Sequence, residues 1–209
     1  MNPVHVIDHP LVRHHLTRLR DHQTRPDVFR NIVNRLSSLL VYEATQDLAV
    51  EETTVTTPMM DARGARLSGR IGIIPILRAG LGMVDPVLHM IPSAELWHLG
   101  FYRDEETLEP VVYYKKLPDA EPVDVGMIVD PMLATGGSAV AAIRALQEWG
   151  VPTIKLVSIL AAPEGIQHVQ EVAPNTPIYV CAIDERLNDK GYILPGLGDA
   201  GDRIFNTRA

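Results

Sequence analysis

The chain is predicted to be α/β, with a central, mostly parallel sheet flanked by helices. Two observations carry this. The runs Ile71 to Leu77, Val123 to Val129, Lys155 to Ala161 and Ile178 to Ile183 are of strand length and dominated by Val, Ile and Leu, as expected of strands buried on both faces. Segments of helical spacing, Met83 to Met90, Ala141 to Trp149 and Glu164 to Val172, alternate with them. Such alternation marks parallel strands joined by helical crossovers.

Taken in order, two helices open the chain. Pro10 to His22 is followed by Asp27 to Thr45, which carries Val28, Ile32, Leu36, Leu39 and Leu40 at helical spacing. Glu51 to Pro58, rich in Val and Thr, reads as β-structure. Glu95 to Tyr102 and Pro110 to Lys115 read as the two strands of a hairpin arm, about residues 95–116, separated by the acidic stretch Asp104 to Glu109. The helix ending at Trp149 stops at Gly150. From Asp184 to Ala209 the chain is rich in Gly, Asp and Asn with little periodicity, and long irregular segments in compact domains are usually functional. No repeat or linker interrupts the chain, so residues 1–209 are expected to form a single domain. The apolar faces near Leu36–Leu40 and Met83–Leu88 suit either the core or a subunit interface.

Composition narrows the function. At 209 residues, 46% hydrophobic and 22% charged, the chain can bury one large core. Its net charge of −7 is spread along the sequence, which argues against a nucleic-acid surface. No apolar run approaches the roughly 18 residues needed to span a bilayer, and Met1-Asn2-Pro3-Val4-His5 does not resemble a signal peptide. No membrane partner and a cytoplasmic location are expected. Cys181 is the single cysteine, which rules out an internal disulfide and reads as a small buried hydrophobe. The eight histidines show no metal spacing, and His14 and His15 read as surface or packing residues.

Three stretches carry chemistry. Asp130-Pro131-Met132-Leu133-Ala134-Thr135-Gly136-Gly137-Ser138-Ala139 puts an acid where a strand ends and a Thr-Gly-Gly-Ser turn where a helix begins. Adjacent glycines let N–H groups turn inward, and a helix start offers unpaired donors and partial positive charge. With the Thr135 and Ser138 hydroxyls this suits a phosphate, and Asp130 beside it suits sugar hydroxyls: together, a ribose 5-phosphate. The same turn also suits a plain helix N-cap. Pro75-Ile76-Leu77-Arg78-Ala79-Gly80-Leu81-Gly82-Met83 repeats the order of strand, turn and helix. Arg78 there is either a fork for diphosphate oxygens or a surface arginine, with Gly80 and Gly82 serving turn geometry. Gly191 to Arg203, which includes Gly196-Leu197-Gly198-Asp199-Ala200, suits a lid over a flat polar ring. Gly198 and Ala200 would offer backbone donors and acceptors, and Ile193 would cover one face. On its own, Arg103 in Gly100-Phe101-Tyr102-Arg103-Asp104 reads as a solvated partner of Asp104 or Glu105. Lys115-Lys116 reads as a solvated pair or as weak electrostatic help for an anion.

In this order the stretches resemble the 5-phosphoribosyl 1-diphosphate (PRPP) loop, the diphosphate loop and the base-recognising hood of the uracil phosphoribosyltransferase family, a branch of the type I phosphoribosyltransferases. Pro131 stands where most of the wider group has a second acid. The resemblance runs from the Thr53–Thr57 region to Arg203 and leaves the first fifty residues with less signal. It implies a type I phosphoribosyltransferase-like fold with a β-hairpin arm and a C-terminal hood, about residues 184–209. The implied reaction is uracil plus PRPP giving UMP plus diphosphate, a step of pyrimidine salvage.

The resemblance implies PRPP binding by Arg78, Arg103, Asp130, Pro131, Met132, Leu133, Ala134, Thr135, Gly136, Gly137, Ser138 and Asp199. It implies uracil binding by Ile193, Gly198, Asp199 and Ala200, largely through main-chain atoms. Catalytic roles fall to Asp130, which grips the ribose, to Arg103, on an arm that closes over PRPP, and to Asp199, a candidate base. A strained or cis peptide is implied near Arg78-Ala79-Gly80. Mg2+ is expected on PRPP oxygens and water, without protein ligands. GTP activation, known in some members, and a homo-oligomer, dimer or higher, are further implications. The alternatives are a phosphoribosyltransferase for another base, an RNA-binding regulator (against which the acidic balance speaks) and a nucleotide-binding module without catalysis.

Overall fold

A computed structural model describes residues 4–103, 110–115, 117–118 and 121–207, with only the backbone at 102–103, 110–112 and 115. In chain order the elements are β1 (Val4–Val6), α1 (Pro10–Arg20), α2 (Pro26–Ala44), β2 (Val50–Thr56), β3 (Asp61–Leu67), β4 (Ile71–Leu77), a 3-10 turn (Ala79–Met83) and α3 (Val84–Met90). There follow β5 (Glu95–Leu96), β6 (Leu99–Arg103), β7 (Pro110–Lys115), β8 (Val125–Val129), β9 (Met132–Leu133), α4 (Gly137–Trp149) and β10 (Thr153–Ala161). The chain continues through α5 (Pro163–Val172), β11 (Ile178–Ile183), β12 (Arg186–Leu187), β13 (Ile193–Leu194) and α6 (Ala200–Phe205).

The described residues form a nine-stranded sheet of order β1-β11-β10-β8-β4-β6-β7, with β5 beside β4 and β9 beside β10. All pairs are parallel except β6 with β7. The expected mostly parallel sheet is therefore present. Successive side chains of a strand point to opposite faces, and the core divides accordingly. Ile73, Met127, Val129, Val157 and Ile159 pack with α1, α2 and α3. Ile74, Ile76, Ile128 and Leu156 pack with α4 and α5 on the other side. Leu36, Leu40, Met83 and Val87 are fully buried here, so the two open apolar faces belong largely to the core.

Several expectations need correction. The hairpin arm starts at Leu99, not Glu95, because Glu95–Leu96 pairs in parallel with β4 instead. The acidic stretch 104–109 and Lys116 lie outside the described residues. The β-structure near Glu51–Pro58 finds its partner in β3, through a register running from Val50↔Leu67 to Thr56↔Asp61. Helix α4 begins at Gly137 rather than Ala141. The tail is not wholly irregular: β12 pairs with β13, and α6 follows. Among the described residues no helix is long and apolar enough to cross a membrane.

Candidate active site

Two neighbouring strands end together. Pro75 of β4 lies opposite Val129 of β8, so Arg78 and Asp130 emerge at the same edge of the sheet, where sites of open parallel sheets lie. The peptide between Leu77 and Arg78 is cis, one bond before the stretch where a strained or cis peptide was expected. A methyl at Gly80 would stand 2.5 Å from the Val129 carbonyl oxygen. Neither Gly80 nor Gly82 has a positive φ, so close packing rather than turn geometry demands Gly80. That contact seats the arginine loop directly against the strand that leads to Asp130.

Asp130 is partly exposed. Its N–H donates to Val157 O (3.1 Å), and its carboxylate accepts weakly from the Met132 N–H (3.4 Å). Burial pushes the carboxyl from the ordinary 3.8 up to about 7, with the Met132 amide opposing. A carboxyl drawn out of water with one long hydrogen bond has little to hold its charge. Pro131, in place of a second acid, is buried and accepts from the N–H groups of Ile159 and Leu160 at 3.1 and 3.0 Å. It fastens the strand end to β10.

The loop after β9 turns into α4 at Gly136, whose φ of 81° is left-handed. No side chain caps this helix, so the plain N-cap alternative does not describe it. The N–H groups of its first turn lack intrahelical acceptors. Gly137, Ser138 and Ala139 of that turn line a pocket of about 210 Å3 with Asp130, residues 132–136 and, from the C-terminal segment, Gly191.

Helix α5 backs this loop, a role the sequence reading missed. A methyl at Gly165 would stand 2.3 Å from Ala134 O. Nδ1 of His168 lies 2.9 Å from Thr135 O. The Glu164 carboxylate accepts from the Leu187 N–H (3.0 Å) and so holds β12 of the hood.

The hood is anchored by the N-terminal helices, the other missed contribution. Arg20 donates to both oxygens of Asp184 (2.7 and 2.5 Å) and to Gly196 O (2.9 Å), and the Gly196 N–H donates to Asp184 (2.8 Å). Arg203 donates to Leu19 O and Leu197 O, both at 2.8 Å, and stacks over the Phe29 ring. Arg30 donates to Ile204 O (2.9 Å). No local pattern signals the pairings of Arg20 with Asp184, Arg30 with Ile204 and Arg203 with Leu19, because the partners lie over a hundred positions apart.

Within the hood the expected residues differ in setting. Gly198 has a φ of 81° and nothing within 4 Å of where a methyl would stand. Asp199 is exposed and caps α6 by accepting from the Asp202 N–H (2.8 Å). Ala200 is buried, and Ile193, only 4% exposed, packs in the core with Leu197 and Ile204 rather than standing open over a pocket. Arg78 reaches across to Asp202 at 3.4 Å, which ties the arginine loop to the hood. Arg103 ends β6; its side chain lies outside the described residues.

Elsewhere, burial pushes the Cys181 thiol up to about 12, in keeping with an inert core residue. His15 is buried, and burial first, then Arg35, His14 and Arg18, lowers its pKa. It is a packing residue, while His14 is exposed.

The family model described as uracil phosphoribosyltransferase matches residues 6–207. A uracil phosphoribosyltransferase of Roseiflexus castenholzii is 55% identical over 207 residues, spanning 99% of this chain and 100% of the relative. One from Halalkalibacterium halodurans is 52% identical over 210 residues, with 100% of each chain covered. A solved protein from Aquifex aeolicus superposes with a TM-score of 0.93 at 39% identity, covering 99% of this chain and 100% of that one. A hypoxanthine phosphoribosyltransferase from Staphylococcus aureus shares the fold, with a TM-score of 0.53 at 13% identity over 76% of each chain. A match over nearly the full length at such identity leaves one assignment: this chain belongs to the uracil phosphoribosyltransferase family.

Proposed function

We infer that this chain transfers the 5-phosphoribosyl group of PRPP to uracil, forming UMP and releasing diphosphate. The observation that carries this reading is the pocket between the strand-end carboxyl of Asp130, the uncapped start of α4 and the hood, in a chain whose relatives bear that activity in their names.

Each demand of the chemistry has a residue to meet it. The 5-phosphate is held by Ala134, Thr135, Gly136, Gly137 and Ser138, with Met132, Leu133 and Pro131 setting the path of the loop. Asp130 grips the ribose hydroxyls as the ring flattens toward an oxocarbenium-like transition state. As the bond from the anomeric carbon to diphosphate breaks, Arg78 and Arg103 meet the charge that grows on the leaving oxygens. The new bond forms to uracil N1. Uracil is held at Ile193, Gly198 and Ala200 by main-chain atoms, and Asp199 accepts the N1 proton. Positioning and electrostatics supply most of the rate.

Mg2+ entering with PRPP belongs to this reading. The strand end offers one carboxylate, Asp130, followed by Pro131. That donor set suits an ion carried mainly by substrate oxygens and water, as this metal prefers. The ion would help neutralise the diphosphate. Residues 1–209 acting as one domain in the cytoplasm, a homo-oligomeric state and GTP as an activator are further parts of the reading, supported by the family resemblance.

The test is product formation from labelled uracil, PRPP and Mg2+, with and without GTP. UMP that appears only with PRPP is the expected result. If hypoxanthine or adenine competes equally with uracil, the assignment of the base is wrong.

A further inference from the structure

We propose that His168 is a positioning residue for the phosphate loop, holding the Thr135 carbonyl away from the pocket and so turning the Gly136 N–H into it. The proposal rests on the reading of residues 134–138 as the 5-phosphate site.

The contact between His168 Nδ1 and Thr135 O is 2.9 Å. A carbonyl oxygen can only accept, so Nδ1 carries the proton and the contact selects the tautomer. His168 lies on α5, no residue of which lines the pocket. The Thr135 carbonyl therefore points to the side away from the ligand space. Among the described residues the cis bonds are Leu77–Arg78 and Leu194–Pro195, so the Thr135–Gly136 peptide is trans. In a planar trans peptide the C=O and N–H point in opposite directions. With the carbonyl held against α5, the Gly136 N–H faces the pocket, and among the described residues no acceptor takes it.

This peptide needs holding because Gly136 tolerates either sign of φ. It could rotate at little cost and present its carbonyl oxygen, which would repel a phosphate. The hydrogen bond from Nδ1 opposes that rotation, at a point where the loop lies close against α5: a methyl on Gly136 would stand 2.9 Å from Gly165 O and 3.2 Å from His168 Cβ.

The experiment compares His168→Leu, which keeps bulk without a donor, with His168→Asn, whose amide nitrogen can take the place of Nδ1. Melting temperatures are read first. PRPP affinity is then measured by calorimetry, alongside KM for both substrates. The leucine variant should lose roughly tenfold in PRPP affinity, the size of one lost hydrogen bond. KM for uracil should stay near wild type, and asparagine should restore most of the PRPP affinity. Wild-type PRPP affinity in the leucine variant, or asparagine no better than leucine, overturns the proposal. Calorimetry reads binding without turnover, so failure of the wild type to make UMP would count against the catalytic reading alone.

Discussion

Arg20 and Asp184, 164 positions apart, meet in a two-pronged ion pair whose N–O distances are 2.7 and 2.5 Å. Asp184 also accepts from the Gly196 N–H, and Arg20 donates to Gly196 O. The first helix thus grips the loop that carries Gly198 and Asp199.

Arg20→Ala should therefore act on both stability and uracil. The loss should be about 3 kcal/mol, the low end for breaking a buried pair, because the Arg20 side chain remains 26% exposed. KM for uracil should rise more than KM for PRPP. Urea unfolding and steady-state kinetics check the two effects, and Arg20→Lys should rescue little because it lacks the fork.

Asp130→Asn should trade activity for stability. Turnover should fall by about a hundredfold, the scale of removing one preorganised polar group. The folded carboxyl, pushed from 3.8 up to about 7, keeps a proton that the unfolded chain has already released across that window. Folding stability therefore falls through this group as pH rises from about 4 to about 7, and the penalty is then constant. The melting temperature of Asp130→Asn should pull above wild type across that range and stay above it at pH 8. Parallel curves would mean that the carboxyl is not shifted.

Gly165→Ala should distort the loop that leads into α4, since the added methyl would lie 2.3 Å from Ala134 O and 2.9 Å from Leu133 O. Backbone atoms cannot swing aside as a flexible side chain can. We expect a loss of about 1–3 kcal/mol, typical of overpacking, and a raised KM for PRPP. Thermal unfolding and PRPP titration read the two effects, and wild-type values for both would show that α5 can retreat.

Arg78→Ala should do the reverse, costing function and sparing the fold. Its ion pair with Asp202 is 3.4 Å long and its side chain 60% exposed, so stability should change by less than about 1 kcal/mol. KM for PRPP should rise by roughly tenfold or more if the guanidinium meets diphosphate oxygens. An unchanged KM would return Arg78 to a surface role.

Much of the sheet was legible because β4, β8, β10 and β11 are buried on both faces and read as apolar runs. Even so, Lys155, placed at the start of such a run, is 1% exposed, and its ammonium meets Ala44 O at 2.7 Å and the Asp47 carboxylate. A charge can sit in that strand only because α2 ends beside it. The short strands β1, β5, β9, β12 and β13, of two or three residues, have no period to detect. They exist because a neighbouring strand completes their hydrogen bonds.

By itself the sequence determined the local features of the candidate site: an acid at one strand end, an arginine at the next, and a glycine turn that opens a helix. Those signals are local, set by backbone propensity and by residues adjacent in the chain. Only the tertiary structure decided what holds them in place. The close approach of Gly80 to Val129, the packing of Gly165 and His168 against the loop before α4, and the anchoring of the C-terminal segment by Arg20 and Arg203 join residues far apart in the chain. Their partners become neighbours only after the two-sided core has formed, so no periodicity or motif along the chain announces them.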